Sequence, residues 1–235
     1  MQSDRLFPLI GNRYQLEEPL GRGGMGTVFR AIDRLTGEEV ALKRVTTPTE
    51  HLQFASRLST HSSASGSTNL RMALAQEFHT LASLRHPNII RVRDYGFDAE
   101  HQPYLALDLL TEPRNLLEAG RDEPLAVKIE LLVQTLQALA YLHRRSVIHR
   151  DLKPDNIAVL SDGQVRVLDF GLAITSDFLY SESRGLAGTL AYIAPEVLQG
   201  DNASEASDLY ALGVIAYGLF TGLHPFPAKT TTELI

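Results

Sequence analysis

The chain has 235 residues, 44% hydrophobic and 21% charged, which suits one large domain or two small ones with a buried core. Its 22 basic and 28 acidic side chains give a net charge of −6, which excludes a general attraction to nucleic acid or to anionic membranes. Cysteine is absent, which excludes disulfides, thiol nucleophiles and cysteine-based zinc sites. The longest near-apolar run, 209–220, is shorter than the roughly 20 residues that span a bilayer. We therefore expect a soluble cytoplasmic protein without membrane contact.

The first half of the chain has the pattern of a small antiparallel sheet with one helix. Runs rich in valine, leucine and aromatic residues predict strands at 14–20, 27–33, 39–45, 89–95 and 104–109. An amphipathic helix is predicted over 70–84, ending before His86 and Pro87. Residues 56–69, which precede this helix, are mostly serine, threonine and other polar residues and indicate a flexible surface insertion.

The second half is mainly helical. Residues 124–145 predict a long helix whose buried face carries Leu125, Ile129, Leu132, Leu136 and Leu139. Residues 206–220 are apolar nearly all round, so we expect a helix that is buried on every side. Short strands are predicted at 157–160 and 165–168. The whole pattern indicates an α+β fold with a β-rich lobe followed by a larger helical lobe.

The segment 21–26 contains glycines with the spacing G-x-G-x-x-G, which is a weak signal alone. A dinucleotide-binding unit requires a helix directly after the glycines, whereas residues 27–33 predict a strand. The glycines therefore indicate a hairpin whose backbone amides cover phosphates. A plain glycine hairpin is the alternative.

Lys43 lies inside an apolar predicted strand, where a charge is costly unless it is paired. It therefore needs a phosphate, a carboxylate or both. Glu77 is the only carboxylate on the apolar stripe of the predicted helix between Leu74 and Leu81, so we predict a Lys43–Glu77 ion pair. The alternative is that both side chains face water.

A polar loop, 149–156, lies between two apolar runs and reads His-Arg-Asp-Leu-Lys-Pro-Asp-Asn. In this loop Asp151 can accept a proton, Lys153 can neutralise a phosphate and Asn156 can bind a metal ion. Asp169 begins an Asp-Phe-Gly sequence thirteen residues beyond Asn156. Two oxygen ligands without histidine or cysteine suit Mg²⁺.

Together these motifs resemble the protein kinase superfamily from Tyr14 to the end of the chain, including an Ala-Pro-Glu sequence at 194–196. The resemblance implies a two-lobed kinase fold, with a tail at 1–13, an N-lobe at 14–107, a hinge at 108–111 and a partial C-lobe at 112–235. It implies that Asp208 is the buried carboxylate that holds the catalytic loop.

The resemblance also assigns catalytic and ligand-binding roles. Asp151 would be the catalytic base and Lys153 would steady the γ-phosphate, while Lys43, positioned by Glu77, would hold the α- and β-phosphates. Asn156 and Asp169 would bind Mg²⁺. The ATP site would further include Leu20, Gly21, Gly23, Gly24, Gly26, Val28, Ala41, Leu107, Asp108, Leu110 and Ala158.

Lys153, two residues after Asp151, is typical of serine/threonine kinases. Some of the motif sequences are also similar to those of bacterial members of the family. The expected activity is transfer of the γ-phosphate of Mg-ATP to protein serine and threonine hydroxyls, including the chain's own. A pseudokinase and a small-molecule kinase are the alternatives. The usual pseudokinase hallmark, loss of a catalytic Lys, Asp or Asn, is not seen, and small-molecule kinases typically lack the segment between Asp-Phe-Gly and Ala-Pro-Glu.

Three departures from the family pattern affect these expectations. Ala158 replaces a larger apolar residue beneath adenine, and the segment after the hinge, 111–115, lacks a clear acidic match, so no preference for basic peptides is expected. Family members also continue through several more helices. We therefore expect a fragment of a longer protein with further domains beyond Ile235, and an exposed apolar patch on the 209–220 helix.

Overall fold

The computed structural model describes residues 9–23, 26–45, 52–54, 78–169, 172–174 and 191–226. These residues divide into two compact units. Of the described residues, the first unit contains 9–23, 26–45, 78–84 and 91–111. The second unit contains 52–54, 85–90, 112–169, 172–174 and 191–226.

The first unit is built on one antiparallel sheet of six strands in the order β1-β2-β3-β4-β7-β6. Its strands are β1 (Leu9–Ile10), β2 (Tyr14–Gly23), β3 (Gly26–Asp33), β4 (Glu39–Val45), β6 (Val92–Phe97) and β7 (Pro103–Asp108). Neighbouring pairs are antiparallel, as hairpin connections between β2, β3 and β4 require. The predicted β-rich lobe is thus confirmed, although β6 begins three residues later than the pattern indicated.

One face of this sheet packs an apolar cluster. The cluster contains aliphatic side chains with two tyrosines at its centre: Ile10, Tyr14, Leu16, Ala31, Val40, Leu42, Tyr104 and Ala106. The rings of Tyr14 and Tyr104 meet edge to face at 5.7 Å between centroids, a favourable aromatic arrangement. Strand alternation leaves the opposite face of β4 to Ala41 and Lys43.

Helix α1 is described over residues 78–83 only. Phe78 and Leu81 are buried on it, and the helix ends before His86 and Pro87, as predicted. The predicted polar insertion at 56–69 and the first part of the predicted helix lie outside the described residues.

In the second unit, strand β8 (Arg114–Asn115) is followed by helices α2 (Leu116–Gly120) and α3 (Leu125–Arg144). Asn115 starts α2 with a capping box. Its side chain accepts a hydrogen bond from the backbone N–H of Glu118, and the carboxylate of Glu118 accepts one from the backbone N–H of Asn115. Strands β9 (Ile157–Val159) and β10 (Val165–Val167) form an antiparallel sheet with β8. A 3-10 turn, Pro154–Asn156, leads into β9. Strand β5 (Leu52–Phe54) pairs with β11 (Leu172–Ile174) in a separate two-stranded sheet.

Helices α4 (Pro195–Leu198) and α5 (Glu205–Thr221) complete the second unit. Ser204 and Ser207 form a capping box at the start of α5. Gly222 ends the helix with a φ of 72°, which glycine adopts without the steric cost that other residues bear.

The predicted buried face of α3 is wrong in detail. On α3 the buried residues are Leu131, Thr135, Ala138, Leu139 and Leu142, whereas Leu125 is 64% exposed. Ile129 and Leu136 are exposed as well. Both stripes of the helix are apolar, and contact with β10 and α5 selects the one that is buried.

The prediction that the 206–220 helix is buried on every side is also wrong. Leu209, Tyr217 and Phe220 on α5 are each about half exposed, at 49%, 46% and 45%. They form the exposed apolar patch that we expected on this helix. By length and composition α3 could also cross a membrane, but this is weak evidence because core helices of soluble proteins share both properties.

Candidate active site

A buried carboxylate on α5 anchors the loop that runs from His149 to Asn156. Asp208, only 2% exposed, accepts the backbone N–H of His149 with Oδ2 at 2.9 Å and that of Arg150 with Oδ1 at 3.0 Å. His143, at the end of α3, places Nε2 2.8 Å from the same Oδ2. Arg150 has a φ of 71°, a conformation that costs free energy in a residue other than glycine. The bonds to Asp208 hold the loop in this shape.

His149 links this loop to the segment that leads to Asp169. Its ring is fully buried, and Nε2 lies 2.9 Å from the carbonyl oxygen of Leu168. A carbonyl only accepts, so Nε2 carries the proton and Nδ1 is free to accept the backbone N–H of Asp151 at 3.4 Å. One imidazole thus holds two backbone segments of the candidate site in place, one at Leu168 and one at Asp151.

Asp151 presents its carboxylate among polar groups of the same loop. Its Oδ2 accepts from Nζ of Lys153 at 2.9 Å and from Nδ2 of Asn156 at 3.1 Å. The side chains of Asp151 and Lys153 are 22% and 23% exposed, so solvent and a ligand can reach both. No described group bonds to Oδ1 of Asp151, which leaves this oxygen able to accept a proton from an incoming hydroxyl.

The amide of Asn156 has a fixed orientation. Its Nδ2 also donates to the carbonyl oxygen of Asp151 at 2.6 Å, so Oδ1 is turned away from the carboxylate. Asp169 follows β10 with a φ of 53°. Among the described residues no three histidine, cysteine or acidic side chains are grouped to hold a metal. Two oxygen donors match a Mg²⁺ ion that takes its other ligands from phosphates and water.

In the first unit, Lys43 lies on the sheet face opposite the tyrosine-containing cluster. It is 6% exposed on β4 and opposite Val28 on β3, while Ala41 is opposite Leu107 on β7. Side chains at directly opposed positions of an antiparallel pair share a face, and so do residues two apart on a strand. The structure therefore brings Lys43, Val28, Ala41 and Leu107 together on one surface.

The segment after β7 contains the predicted hinge positions Asp108 and Leu110. The carboxylate of Asp108 is bound by Nε of Arg93, and its backbone N–H donates to the carbonyl of Arg91 at 3.1 Å. The backbone contacts of Asp108 and Leu110 with a ligand stay a prediction.

The glycine-rich segment joins two antiparallel strands, since Gly23 pairs with Gly26 and Gly21 with Val28. The interpretation as strand, turn and strand is confirmed, and the dinucleotide-binding alternative fails because no helix follows. Leu20 lies in β2 and is 45% exposed. Ala158, the predicted floor of the nucleotide site, is buried in β9 of the second unit. Glu77 and Gly24 lie outside the described residues, so the Lys43–Glu77 ion pair stays a prediction.

The sequence reasoning missed His143, which borders the site in the second unit. His143 shares Asp208 with the catalytic loop, and no motif marks it because it belongs to the last turn of a long helix. Tyr192 borders a pocket together with Asp151. Burial raises the pKa of Tyr192, and the negative charge of Asp155 adds to this effect.

Glu196 of the Ala-Pro-Glu sequence is half-buried. Among the described residues it forms no ion pair, but it retains contact with solvent. Burial raises the pKa of Tyr210, and the negative charge of Glu196 adds to this effect.

Comparison with known proteins agrees with this geometry. The sequence model described as protein kinase domain matches residues 14–235. The serine/threonine-protein kinase PknA of Mycobacterium tuberculosis is 36% identical over 95% of this chain and 50% of its own length. A protein of Streptomyces coelicolor named "probable serine/threonine-protein kinase" is 33% identical over 92% of this chain and 31% of its own. The probable serine/threonine-protein kinase PknB of Lactococcus lactis is 32% identical over 96% of this chain and 34% of its own length. The chain thus spans about a third to a half of these curated relatives, and it belongs to the protein kinase family.

Proposed function

We propose that the chain is an ATP-dependent serine/threonine protein kinase of the cytoplasm, acting on protein hydroxyls and on its own serines and threonines. The observation that carries this proposal is the arrangement around Asp151. Its carboxylate lies beside a lysine ammonium and an asparagine amide, on a loop held by Asp208. Relatives named as serine/threonine-protein kinases support the acceptor class, as does Lys153 two residues after Asp151.

Asp151 orients the acceptor hydroxyl and takes its proton. As the hydroxyl oxygen forms its bond to the γ-phosphorus, the bond from phosphorus to the bridging oxygen breaks and ADP leaves with that electron pair. Lys153 neutralises charge on the phosphoryl group during transfer. Because one Asp151 oxygen already accepts from Lys153 and Asn156, the other is available for the hydroxyl.

Asn156 and Asp169 are proposed to hold Mg²⁺. The ion would neutralise phosphate charge and polarise the phosphoryl oxygens. Asn156 suits this role because its amide nitrogen is bonded to Asp151 and its oxygen is directed elsewhere.

The first unit supplies the proposed nucleotide-binding surface. Lys43 would bind the α- and β-phosphates, with Glu77 as its partner, and the glycines of 21–26 would cover the phosphates with backbone N–H groups. Val28, Ala41 and Leu107 share a sheet face with Lys43 and would contact adenine. Backbone groups of Asp108 and Leu110 would bind the edge of the base, while Leu20 and Ala158 would complete the apolar lining.

The test is the intact mass of phosphatase-treated chain before and after incubation with ATP and Mg²⁺. We expect phosphate-sized increments in the wild type and none in Asp151→Asn, which cannot take up the proton as a carboxylate does. Asp122→Asn is the matched control, because Asp122 is exposed and carries the same charge outside the site. It should behave as the wild type.

Acceptor class follows from acid hydrolysis of the product and from a protein substrate incubated in parallel. Phosphoserine and phosphothreonine without phosphotyrosine support the proposal. Absence of increments on both the chain and the protein substrate would contradict it and favour a pseudokinase. Transfer to small alcohols or aminoglycosides but not to protein would favour a small-molecule kinase.

A further inference from the structure

A cavity of about 360 Å³ lies in the second unit between the end of α2, the start of α3 and the last turn of α5. Its described walls include Arg121 after α2, Lys128 on α3 and Gly218 on α5. Tyr192 and His224 line it from the segments before α4 and after α5. A volume of this size accommodates a side chain of a bound polypeptide, which needs far less space than a drug-sized ligand.

The charge of this cavity has one sign. Arg121 and Lys128 are both cationic, and no aspartate or glutamate belongs to its described walls. The ammonium of Lys128 is placed by a hydrogen bond of 3.2 Å to the carbonyl oxygen of Arg121, at the negative end of α2. Two cations beside a partly enclosed space favour an anionic ligand.

His224, on the wall of this cavity, has a ring nitrogen without a hydrogen-bond partner among the described residues. Its Nε2 is buried, and no described residue forms a hydrogen bond with it. Nδ1, in contrast, lies 2.8 Å from the carbonyl oxygen and 3.1 Å from the nitrogen of Phe226. Because Nε2 is buried, a ligand in the cavity meets the imidazole ring of His224, and binding of an anion falls to Arg121 and Lys128.

Tyr192 connects the cavity with the candidate catalytic loop. The same residue lines the pocket that contains Asp151 and Leu152, so the two spaces share one side chain as a wall. A polypeptide with its hydroxyl at Asp151 advances about 3.3 Å per residue when extended, and a side chain a few positions away can enter the cavity. Asp155, which lies near Tyr192, accepts from Nδ2 of Asn115 at 3.4 Å and is not part of the described cavity wall.

We propose that this cavity is a substrate subsite that binds an anionic side chain, a carboxylate or a phosphorylated residue, close to the phosphoacceptor of a protein substrate. The inference rests on the proposed kinase function and specifies its substrate class. Arg121 and Lys128 would bind the anion. The chain would thus select acidic or already phosphorylated sequences.

The first experiment measures binding without turnover. Labelled peptides with one serine in an alanine–glycine background carry a glutamate that is moved one position at a time, and their Kd for the Asp151→Asn chain is read by fluorescence anisotropy. At one position glutamate should lower Kd about fivefold relative to alanine, lysine should raise it, and added salt should reduce the difference. Phosphoserine at that position should bind more tightly than glutamate if the natural ligand is phosphorylated, because it carries more charge.

Three variants assign the effect to the cavity. Arg121→Glu should remove the preference for glutamate, whereas Arg34→Glu, the same change at an exposed turn of the first unit, should retain it. Gly218→Glu is a second route, since a Cβ there would meet no atom closer than 3.6 Å and the added carboxylate would enter the cavity. It too should remove the preference, and melting temperatures verify that each variant is folded.

Either of two results would overturn the subsite: no position at which glutamate binds better than alanine, or a preference that survives both Arg121→Glu and Gly218→Glu. Phosphorylation of the same peptides by the wild-type chain is measured separately. Transfer without acidic preference would refute the subsite and leave the kinase function intact. An acidic preference in binding without transfer to any peptide would support the subsite and refute the kinase function.

Discussion

The carboxylate of Asp208 on α5 accepts the backbone N–H of His149 at 2.9 Å, so the candidate catalytic loop takes its position from a helix that lies some sixty residues later in the chain. The same carboxylate accepts from Arg150, whose positive φ needs such support. Because the bonded groups belong to the main chain, their geometry does not depend on the side chains of the loop.

Asp208→Asn should weaken this anchor. An amide has one oxygen, so in either orientation its NH₂ group meets a backbone N–H that the carboxylate had accepted. We expect the free energy of unfolding to fall by about 3 kcal/mol and the phosphoryl-transfer rate by about a hundredfold. Thermal unfolding and initial rates measure both. Asp201→Asn removes the same charge at an exposed position and should change neither.

Asn156→Asp should disable the candidate site through repulsion. The present amide nitrogen lies 2.6 Å from the carbonyl oxygen of Asp151 and 3.1 Å from its Oδ2. A carboxylate oxygen in that place faces two oxygens and cannot donate to either. We expect a loss of rate of about a hundredfold at neutral pH, and a changed Mg²⁺ dependence of the remaining activity because the amide oxygen ligand is replaced by a charged one. Rates titrated against Mg²⁺ test this, and an unchanged Mg²⁺ dependence would contradict the assigned role. Asn202→Asp is the exposed control.

The elements of the chain could be predicted more fully than their partners. The strand Glu39–Val45 was found at its predicted bounds because alternation and the flanking turns act locally. On α3 both helix stripes are apolar, so the sequence did not reveal that Leu131 and Leu142 face inward while Leu125 faces out. That choice depends on tertiary neighbours far away in sequence.

The residues of the candidate site, like the elements of the fold, could be predicted more fully than their partners. Asp151, Lys153 and Asn156 could be identified from their polar loop and its resemblance to a kinase motif, and the structure brings them into contact. The contribution of His143 could not be foreseen, because it depends on how α3 ends beside α5. Cavities lined by distant segments, such as the one with Arg121 and His224, leave no continuous pattern in the sequence.

Stability in acid should depend on the pair Arg13–Asp33 in the first unit. Arg13 donates from Nε at 2.7 Å and from its second terminal nitrogen at 2.6 Å, and these bonds lower the pKa of Asp33 from 3.8 to about 2. Because the pKa of Asp33 is lower in the folded chain than in the unfolded chain, the pair adds stability at pH values above the unfolded-state pKa. This stability is lost as pH falls from 3.8 towards 2. Its size at neutral pH is about 2 kcal/mol, since Asp33 is almost fully buried.

Asp33→Asn should therefore lower the unfolding free energy at pH 7 and flatten its decline below pH 4. Urea unfolding between pH 2 and pH 7 gives both quantities. Glu123→Gln, at an exposed position, should leave the profile as it is in the wild type. A variant profile parallel to that of the wild type would show that Asp33 does not titrate as described.

Gly96→Ala should destabilise the first unit because Tyr104 occupies the space beside it. A Cβ on Gly96 would lie 2.6 Å from the tyrosine oxygen and 2.8 Å from Cζ, closer than real contacts allow. Tyr104 is buried against Tyr14 and on its other side meets Gly11, so it cannot shift without disturbing the apolar cluster. We expect a cost of about 2 kcal/mol in urea unfolding.

Two further variants make this prediction specific to Tyr104. Gly213→Ala places the same methyl group on an exposed position of α5 with no atom within 4 Å, so it should be neutral or stabilise the chain by up to about 1 kcal/mol. Tyr104→Leu removes the ring that the new Cβ would meet, so adding Gly96→Ala to it should cost little more. Equal costs of Gly96→Ala in the presence and absence of the Tyr104 ring would refute the steric explanation, because the strain exists only while the ring fills the space between the two glycines.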